Sequence, residues 1–528
     1  MTSRPRPTSR SARVRAHSRT ISAFLLASLL APAAKPLSAQ LIQIKTLPIA
    51  DGDQWRFFPS ANTGLGGVSI ALRDSLLDPF DNPAKGARLS ERSKGIFFGS
   101  PTAYSVSQNA GGGMTLPLGG IVRAGSMFGG FAVAFQEIDP AQTTQGFGSP
   151  TVDVIRPDGT PGSVPTNPSR QNRFAFATLG RTFERAGVSI GASALVSGLN
   201  DVDGVDLLYA GSAGIDQHGG ALDVRLAFLK EWAGHRSLEA MVLHDRFGMT
   251  HDVTWLDQVW DPNTRTIKSQ ARQDHNVDRT NTWGLHLAYS QPLSASGWRV
   301  GAIATTNLMS HPKLPDYQIT QVMVIPWDPG HSAAYDLGVG IAKSSGLTTF
   351  GVDAIYEPIH THTWGETPTP IVTDLRTIPA GGKTTENHFH FSNAILRTGI
   401  GQEIPIDTVH GTVKSMRLEL GVSMRSIGYT LNQFDHVTQA ARNDRQSWVE
   451  WTPTWGLGLR FSDLELRYNG RKTTGTGRPG ILNRGDILVS APAAADGGRN
   501  FLSAPSGPTT LTNVVVTTHQ ISVSVPIR

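Results

Sequence analysis

Cysteine is absent from all 528 residues. That excludes a lipid-anchored lipoprotein start, disulfide staples, thiolate catalysis and cysteine-ligated zinc. Long apolar runs are missing too. After the first 39 residues no stretch reaches the ~18 apolar residues that a membrane-spanning helix requires, so a helical membrane protein is excluded. Charge is sparse, 17% of the chain, while glycine is abundant at 56 residues. That composition fits a β-rich protein better than a disordered one.

Acidic residues are absent from positions 1–39, where Arg4, Arg6, Arg10, Arg13, Arg15, Arg19 and Lys35 stand. An apolar stretch from Ile21 to Leu30 and the small-residue site Leu37-Ser38-Ala39 follow. A basic start, a short apolar core and a small residue at the cleavage point predict a signal peptide over 1–39. Those residues hold seven of the 47 basic residues and none of the 42 acidic ones, so the remainder carries 40 against 42, a net −2 instead of +5. The basicity belongs to the export segment, and no nucleic-acid partner is expected.

The rest alternates with a period of two. Val188, Ile190, Ala192, Ala194 and Val196 interleave with Ser189, Gly191 and Ser193, with Leu195 as the exception on the polar parity. Leu418, Leu420, Val422 and Met424 interleave with Arg417, Glu419, Gly421, Ser423 and Arg425; Trp451, Pro453, Trp455, Leu457, Leu459 and Phe461 alternate likewise. Such segments are half-apolar strands. Sixteen are predicted: 94–99, 107–118, 121–137, 172–181, 186–197, 220–230, 236–246, 281–291, 298–308, 333–343, 347–357, 386–400, 413–428, 447–461, 464–474 and 513–527. Short links such as Ser462-Asp463 alternate with long ones, at 139–171, 198–219, 247–280, 309–332, 359–385, 429–446 and 475–511. Soluble domains seldom hold so many long loops, whereas outer-membrane barrels join strands by tight periplasmic turns and long external loops. The expectation is an all-β, transmembrane antiparallel β-barrel in the bacterial outer membrane, spanning 94–528, with both ends periplasmic. Residues 40–93 do not alternate, are rich in Gly, Asp, Asn and Pro, and are expected to fill the lumen as a hatch.

That segment contains Asn62-Thr63-Gly64-Leu65-Gly66-Gly67-Val68-Ser69-Ile70-Ala71, then Arg73-Asp74-Ser75 and Asp81-Asn82-Pro83-Ala84. With Trp451 to Leu459, it resembles the hatch and a late-strand pattern of the FadL-type outer-membrane family, which takes up hydrophobic compounds. The resemblance implies a hatch motif at Gly64, Gly66, Gly67, Asp81, Asn82, Pro83 and Ala84. It also implies fourteen strands where the alternation gives sixteen, and a kink in the third strand, here at Gly129 and Gly130, through which ligand leaves. Its functional implication is passive uptake of hydrophobic small molecules such as long-chain fatty acids. The same motif occurs in secretion-associated barrels, so a structural barrel with an envelope protein partner is the alternative. Membrane lipids are partners in either case.

Other constellations weigh less. Gly187-Val188-Ser189-Ile190-Gly191 matches a nucleophile-elbow pattern but sits in a continuing strand, so no enzyme is expected. His360 and His362 close one strand and His388 and His390 open the next; these pairs suit zinc or copper in ligand type. With no adjacent carboxylate pattern recognised, they are read as rim histidines, and no metal or cofactor is expected. Asp201, Asp203 and Asp206 are read as a solvated loop. Trp283, Tyr289, Trp298, Tyr335, Tyr356, Trp451, Trp455 and Tyr468 are expected to form interfacial girdles.

Overall fold

The computed structural model describes residues 54–89, 94–107, 111–139, 154–155, 161–162, 169–203, 213–263, 265–293, 297–311, 330–367, 369–406, 413–479 and 511–527. Residues 1–39, expected to be a signal peptide, Asp206 and several of the long links lie outside them.

Sixteen antiparallel strands close on themselves. β1 runs as Gly95–Gly99 and Thr102–Val106, interrupted at Ser100-Pro101. β2 is Gly112–Ala124, β3 Met127–Asp139, β4 Arg170–Phe183, β5 Val188–Leu199 and β6 Gly214–Trp232. β7 is Arg236–Asp261, β8 Thr266–Pro292, β9 Trp298–His311, β10 Gly330–Ser345 and β11 Thr348–Glu366. β12 is Lys383–Pro405, β13 Val413–Asp435, β14 Ala440–Phe461, β15 Glu465–Pro479 and β16 Leu511–Ile527. Each pairs with its sequence neighbours, and Gly95 pairs with both Val122 of β2 and Ile527 of β16, which shuts the barrel. The count is sixteen, as the alternation predicts. The fourteen implied by the resemblance does not hold.

Several boundary expectations change; the third strand, expected at 121–137, lies at Met127–Asp139 because 121–124 complete β2. The second strand, expected at 107–118, lies at Gly112–Ala124, because β1 resumes beyond Pro101, whose missing N–H breaks the ladder for one step. The presumed loop 247–280 is mostly strand: β7 and β8 pair without a break from Ser237↔Ser290 to Asp261↔Thr266. Segments 359–385 and 429–446 likewise extend β11 to β14. Through the hydrocarbon band the apolar parity faces out; above it the sense reverses. Met249, Val253, Ile359, Phe389, Phe391, Ile427, Tyr429 and Leu431 are buried there on the inward parity between polar outward residues, so a search for outward apolar residues misses these extensions.

Side-chain polarity decides what surrounds the barrel. The outward parity exposes Phe131, Phe135, Leu179, Leu226, Leu337, Val339 and Leu420, with Phe131 63% and Leu420 64% accessible. The inward parity buries Thr178, Ser189, Ser193, Asp223, Asp245, Asp353, Glu419 and Asn469. A soluble barrel has the opposite sense, apolar inside and polar outside. Exposed Trp283, Tyr289, Tyr356 and Trp451 lie on the same outer surface, where a girdle belongs. Closed antiparallel pairing leaves no strand edge unsatisfied in lipid. The protein is therefore a barrel of the bacterial outer membrane, with the short turns, Gly95 and Ile527 at its periplasmic end.

Candidate functional site

Residues 54–89 lie inside the barrel and pack on the inward face of its wall. The segment holds a 3₁₀ turn at Thr63–Leu65, a single-turn helix α1 at Asp78–Asp81 and a 3₁₀ turn at Pro83–Arg88. So little regular structure leaves many backbone groups to be satisfied by side chains. Asp74 does much of this. Its buried carboxylate accepts from Ser60 Oγ at 2.5 Å, from the N–H groups of Ala61 at 2.8 Å and Asn62 at 3.2 Å, and from those of Leu76 at 3.1 Å and Leu77 at 3.0 Å. Asn62 Nδ2 donates to the Val68 carbonyl at 3.0 Å. Asn82 Oδ1 accepts from the Ala84 N–H at 3.0 Å, with Pro83 between them opening the second 3₁₀ turn.

The wall meets the hatch with fitted groups. Asp353 of β11 accepts from the N–H groups of Ser69 and Ile70 at 2.7 and 3.1 Å. Thr454 of β14 donates to Gly64 O and accepts from Gly66 N at 3.0 and 2.9 Å. Gly66 and Gly67 both have φ of 75°, a left-handed backbone that only glycine adopts without strain. At Gly66 a side chain would also strike the Thr398 and Val422 carbonyls. Opposite, Gly399 and Gly421 let the Leu65–Gly66 backbone lie directly on the wall; a Cβ on either would strike it.

A charged latch fixes α1 and the turn that follows. Lys85 Nζ lies 3.1 Å from Asp78 and 2.9 Å from Glu239 of β7; Arg88 reaches Glu231 at 3.0 Å and Glu239 at 3.4 Å. Asn82 Nδ2 donates to Glu239 at 3.1 Å. Arg225 of β6 holds Asp223 at 2.7 Å and donates to the Asp81 carbonyl at 2.9 Å. Burial pushes the Asp78 carboxyl up to about 6 against the pull of Lys85, while Asp78 and Glu239 outweigh burial at Lys85 and raise its ammonium above the usual amine range.

Two cavities flank α1. One, of about 430 Å³, touches Leu77, Phe80 and Asp81 and is walled by Trp55, Phe57, Phe58, Phe176, Leu195 and Phe247. Its aromatic rings pack tightly: Phe58 stacks on Phe80 at 4.7 Å between centroids, meets Phe176 edge-on at 5.1 Å, and Phe80 meets Phe98 at 5.0 Å. Arg56, Arg225 and Arg471 bring guanidinium groups to the same cavity. The other, of about 580 Å³, touches Leu76, Asp78, Pro79, Lys85 and Arg88 and reaches the short-turn residues Ser462 and Leu464. Residues 76–81 thus lie between an aromatic chamber and a charged periplasmic one.

The aromatic chamber was not foreseen as a site, although a signal for it exists. Phe174, Phe176, Leu195 and Phe247 stand on the polar, inward parity. An apolar residue on that parity has no lipid to face, so it marks a lumenal apolar surface. Leu195, the exception in the β5 alternation, is one of these.

Other candidates fall elsewhere. Gly129 and Gly130 pair with Val122 and Ile121 on one side and with Leu179 and Thr178 on the other, with no register shift. Ser189 is not mid-strand but the second residue of β5, just after the 3₁₀ turn Glu184–Ala186 and the left-handed Gly187, and it is buried beside the Thr182 hydroxyl, with strand rather than helix following it. Asp201 and Asp203 turn inward rather than into solvent: Asp201 Oδ1 accepts from Gln217 at 2.7 Å, and its carbonyl from Gln54 and Asn172. The histidines pair across strands, His360↔His390 and His362↔His388, on the outer surface rather than in the lumen.

No family model matches the chain, and no curated protein matches it. Among solved structures it is similar to a FadL homologue of Pseudomonas aeruginosa, at 11% identity and a TM-score of 0.40, over 91% of this chain and 100% of that one. It is also similar to the Pseudomonas putida toluene transporter TodX, at 10% identity and a TM-score of 0.39, over 88% and 96%. The Ralstonia pickettii toluene transporter TbuX gives 10% and 0.36, over 88% and 97%.

Proposed function

We propose that this barrel is a passive channel for hydrophobic small molecules, with the aromatic chamber as its ligand site and the hatch as its gate. The observation that carries the reading is a cavity lined largely by apolar side chains between the hatch and the inward face of the wall. Its volume of about 430 Å³ falls in the usual range for small-molecule sites, about 300–1,000 Å³. Lipid-facing apolar residues need no ligand to explain them; Phe58, Phe80, Phe176 and Leu195 face the lumen, where they pack on one another and still border the cavity. Arg56, Arg225 and Arg471 line the chamber together with Asp81, Asp223 and Asp245, a polar edge beside an apolar body that suits an amphiphile, and a long-chain fatty acid is the favoured class. The route runs from the aromatic chamber past residues 76–81 into the periplasmic one.

The test is uptake of a labelled long-chain fatty acid by liposomes carrying the protein, with native mass spectrometry for co-purified lipid. Wild type is expected to accelerate uptake and to retain an amphiphile. Phe176→Asp and Leu195→Asp, which place charge in the chamber, are expected to abolish both while the barrel keeps its heat-modifiable migration. Uptake at the protein-free rate, or equal uptake by the charged variants, would overturn this reading in favour of a barrel whose role is to bind an envelope protein.

A further inference from the structure

Outside the lumen, the strand register assembles a chemistry that the transport reading does not use. His362 of β11 and His388 of β12 are cross-strand partners, with rings parallel within 7° and centroids 4.2 Å apart. Glu386, two residues before His388 and so on the same face, reaches between them. Its Oε1 is 2.7 Å from His362 Nε2 and 3.9 Å from His388 Nε2. Its Oε2 is 3.5 Å from Nε2 of His436, in the turn after β13. The ligand atoms of His362, Glu386 and His388 all lie within 4.8 Å of one another.

We propose that His362, Glu386 and His388 form a binding site for a divalent transition cation of the zinc type at the outer rim of the barrel. Tetrahedral zinc with bonds of about 2.0–2.2 Å holds its ligand atoms roughly 3.3–3.5 Å apart. The two separations at Glu386 bracket that value, so modest side-chain rotations close the site. Two imidazoles and one carboxylate select zinc, copper or nickel over calcium or magnesium. His388 is 57% exposed, which gives the ion a path in and leaves a position for water or a further ligand. Lys383 Nζ, 2.6 Å from Glu386 Oε1, stands where the cation would compete, and it must swing away as the metal enters.

The position gives the site a structural consequence. Along β11, His362 stands six residues above the outward-facing Tyr356. At a strand rise of about 3.4 Å and a tilt of roughly 40°, that is about 15 Å further from the membrane centre. The site therefore lies beyond the hydrocarbon, on the polar side of the girdle. Arg376, in the external hairpin between β11 and β12, donates to the His436 carbonyl at 2.7 Å. A bound ion clips β11 to β12 and, through His436 beside Glu386, steadies the base of that hairpin.

The experiment is calorimetric titration of zinc(II) into the untagged full chain in detergent, with cobalt(II) visible absorption as a second probe. One site per barrel is expected, with an intense cobalt band of tetrahedral type. His362→Ala and His388→Ala are each expected to weaken zinc by at least about tenfold. His390→Ala, one step along the same ladder, is expected to leave binding unchanged. Heat-modifiable migration verifies that each variant is folded. Absence of zinc binding in the folded wild type, retention in the double variant, or an equal loss in His390→Ala would each overturn the proposal.

Discussion

Replacing Leu420 by arginine tests the inverted polarity of the wall. Outward-facing apolar residues on β13 run from Met416 to Met424, and Leu420 is the middle of that row. With strand rise and tilt combining to about 2.6 Å per residue along the membrane normal, the row spans roughly 21 Å, close to the ~25 Å apolar band of such barrels. Its cross-strand partners are Ile400 and Trp455, so a guanidinium there finds no counter-charge and must reach far to water. The expected cost is about 2–4 kcal/mol. Ile190→Arg also faces outward, but Ile190 pairs with Arg181, itself outward-facing and exposed, which marks the interfacial level. Its cost is expected at about 0–1 kcal/mol. Ser423→Gln points into the lumen and is expected within about 0.5 kcal/mol of wild type. Equilibrium urea unfolding in phospholipid vesicles reads all three as midpoint shifts at constant slope. Equal losses for Leu420→Arg and Ser423→Gln would refute the assignment of faces, and a neutral Leu420→Arg would refute a lipid environment altogether.

Deleting residues 62–84 removes the Asp74 hub and the hatch turns, and is expected to raise permeability to small polar solutes in a liposome-swelling assay; a folded barrel with unchanged permeability would show that the hatch does not block the lumen. Glu239→Gln weakens the pairs to Lys85 and Arg88, and is expected to increase the frequency of current bursts in planar bilayers without shifting the barrel's own unfolding midpoint. The Asp78 carboxyl titrates near 6 in place against 3.8 ordinarily. Its contribution therefore favours the docked hatch at low pH and is lost as pH rises from about 3.8 to about 6, by at most about 3 kcal/mol. Bursts are expected to be rarer at pH 4 than at pH 7, with Asp78→Asn flattening that difference; an unchanged profile in Asp78→Asn would remove Asp78 from the gate. Gly421→Val, which strikes the backbone of Leu65 and Gly66, is expected to release the hatch as the deletion does, with Gly458→Ala as a silent control.

The parts of the fold visible in the sequence are those where the environment acts on every second residue. Through the membrane band, lipid on one side and a polar lumen on the other force alternation, so β5, β13 and β14 can be read residue by residue. Above the band that constraint ends. The β7–β8 ribbon continues through His251 and Asp252, where Met249 and Val253 turn inward and Thr250 and Asp252 outward, the reverse of the lipid-band pattern, so the segment reads as a loop. The hatch is visible for a different reason: Gly66 and Gly67 supply backbone that other residues avoid, and Asn82-Pro83 opens a turn. Contacts that hold it are not visible, because Asp353, Thr454 and Glu239 are brought to it only by barrel closure. Glu386 is a nearer miss. Glu386, His388 and His390 share one parity within five residues, and strand geometry alone puts that carboxylate beside the histidines.

Glycine links the hatch to the wall in a way that composition alone leaves ambiguous. Glycine within a strand weakens it and gives no side chain to pack, so a barrel with many inward glycines needs something to lie against them. In β12, β13, β10 and β11 the inward Gly399, Gly421, Gly340 and Gly351 receive Leu65, Gly66, Ile70 and Val68 respectively. A run of six hatch residues, Leu65 to Ile70, is thus laid across four adjacent strands, each bared at the level where the chain crosses it. Asp353 and Thr454 then supply hydrogen bonds where the glycines supply room. On the other side of the lumen Gly191 of β5 receives the Pro83–Ala84 backbone in the same way, while Phe174, Phe176 and Leu195 project inward against Phe57, Phe58 and Phe80 and border the aromatic chamber. The hatch is consequently held on two arcs of the barrel: on one by the four glycines with Asp353 and Thr454, on the other by Gly191, the packing of Ala84 on Ala227, Leu229 and Met241, and the charged latch of Lys85, Arg88 and Glu239. The latch borders the charged periplasmic cavity, where water can take the place of its ion pairs, so a displacement that opens a path should break the latch first. Glu239→Gln should lower the threshold for opening, whereas loss of the Asp353 contacts should detach the hatch as a whole.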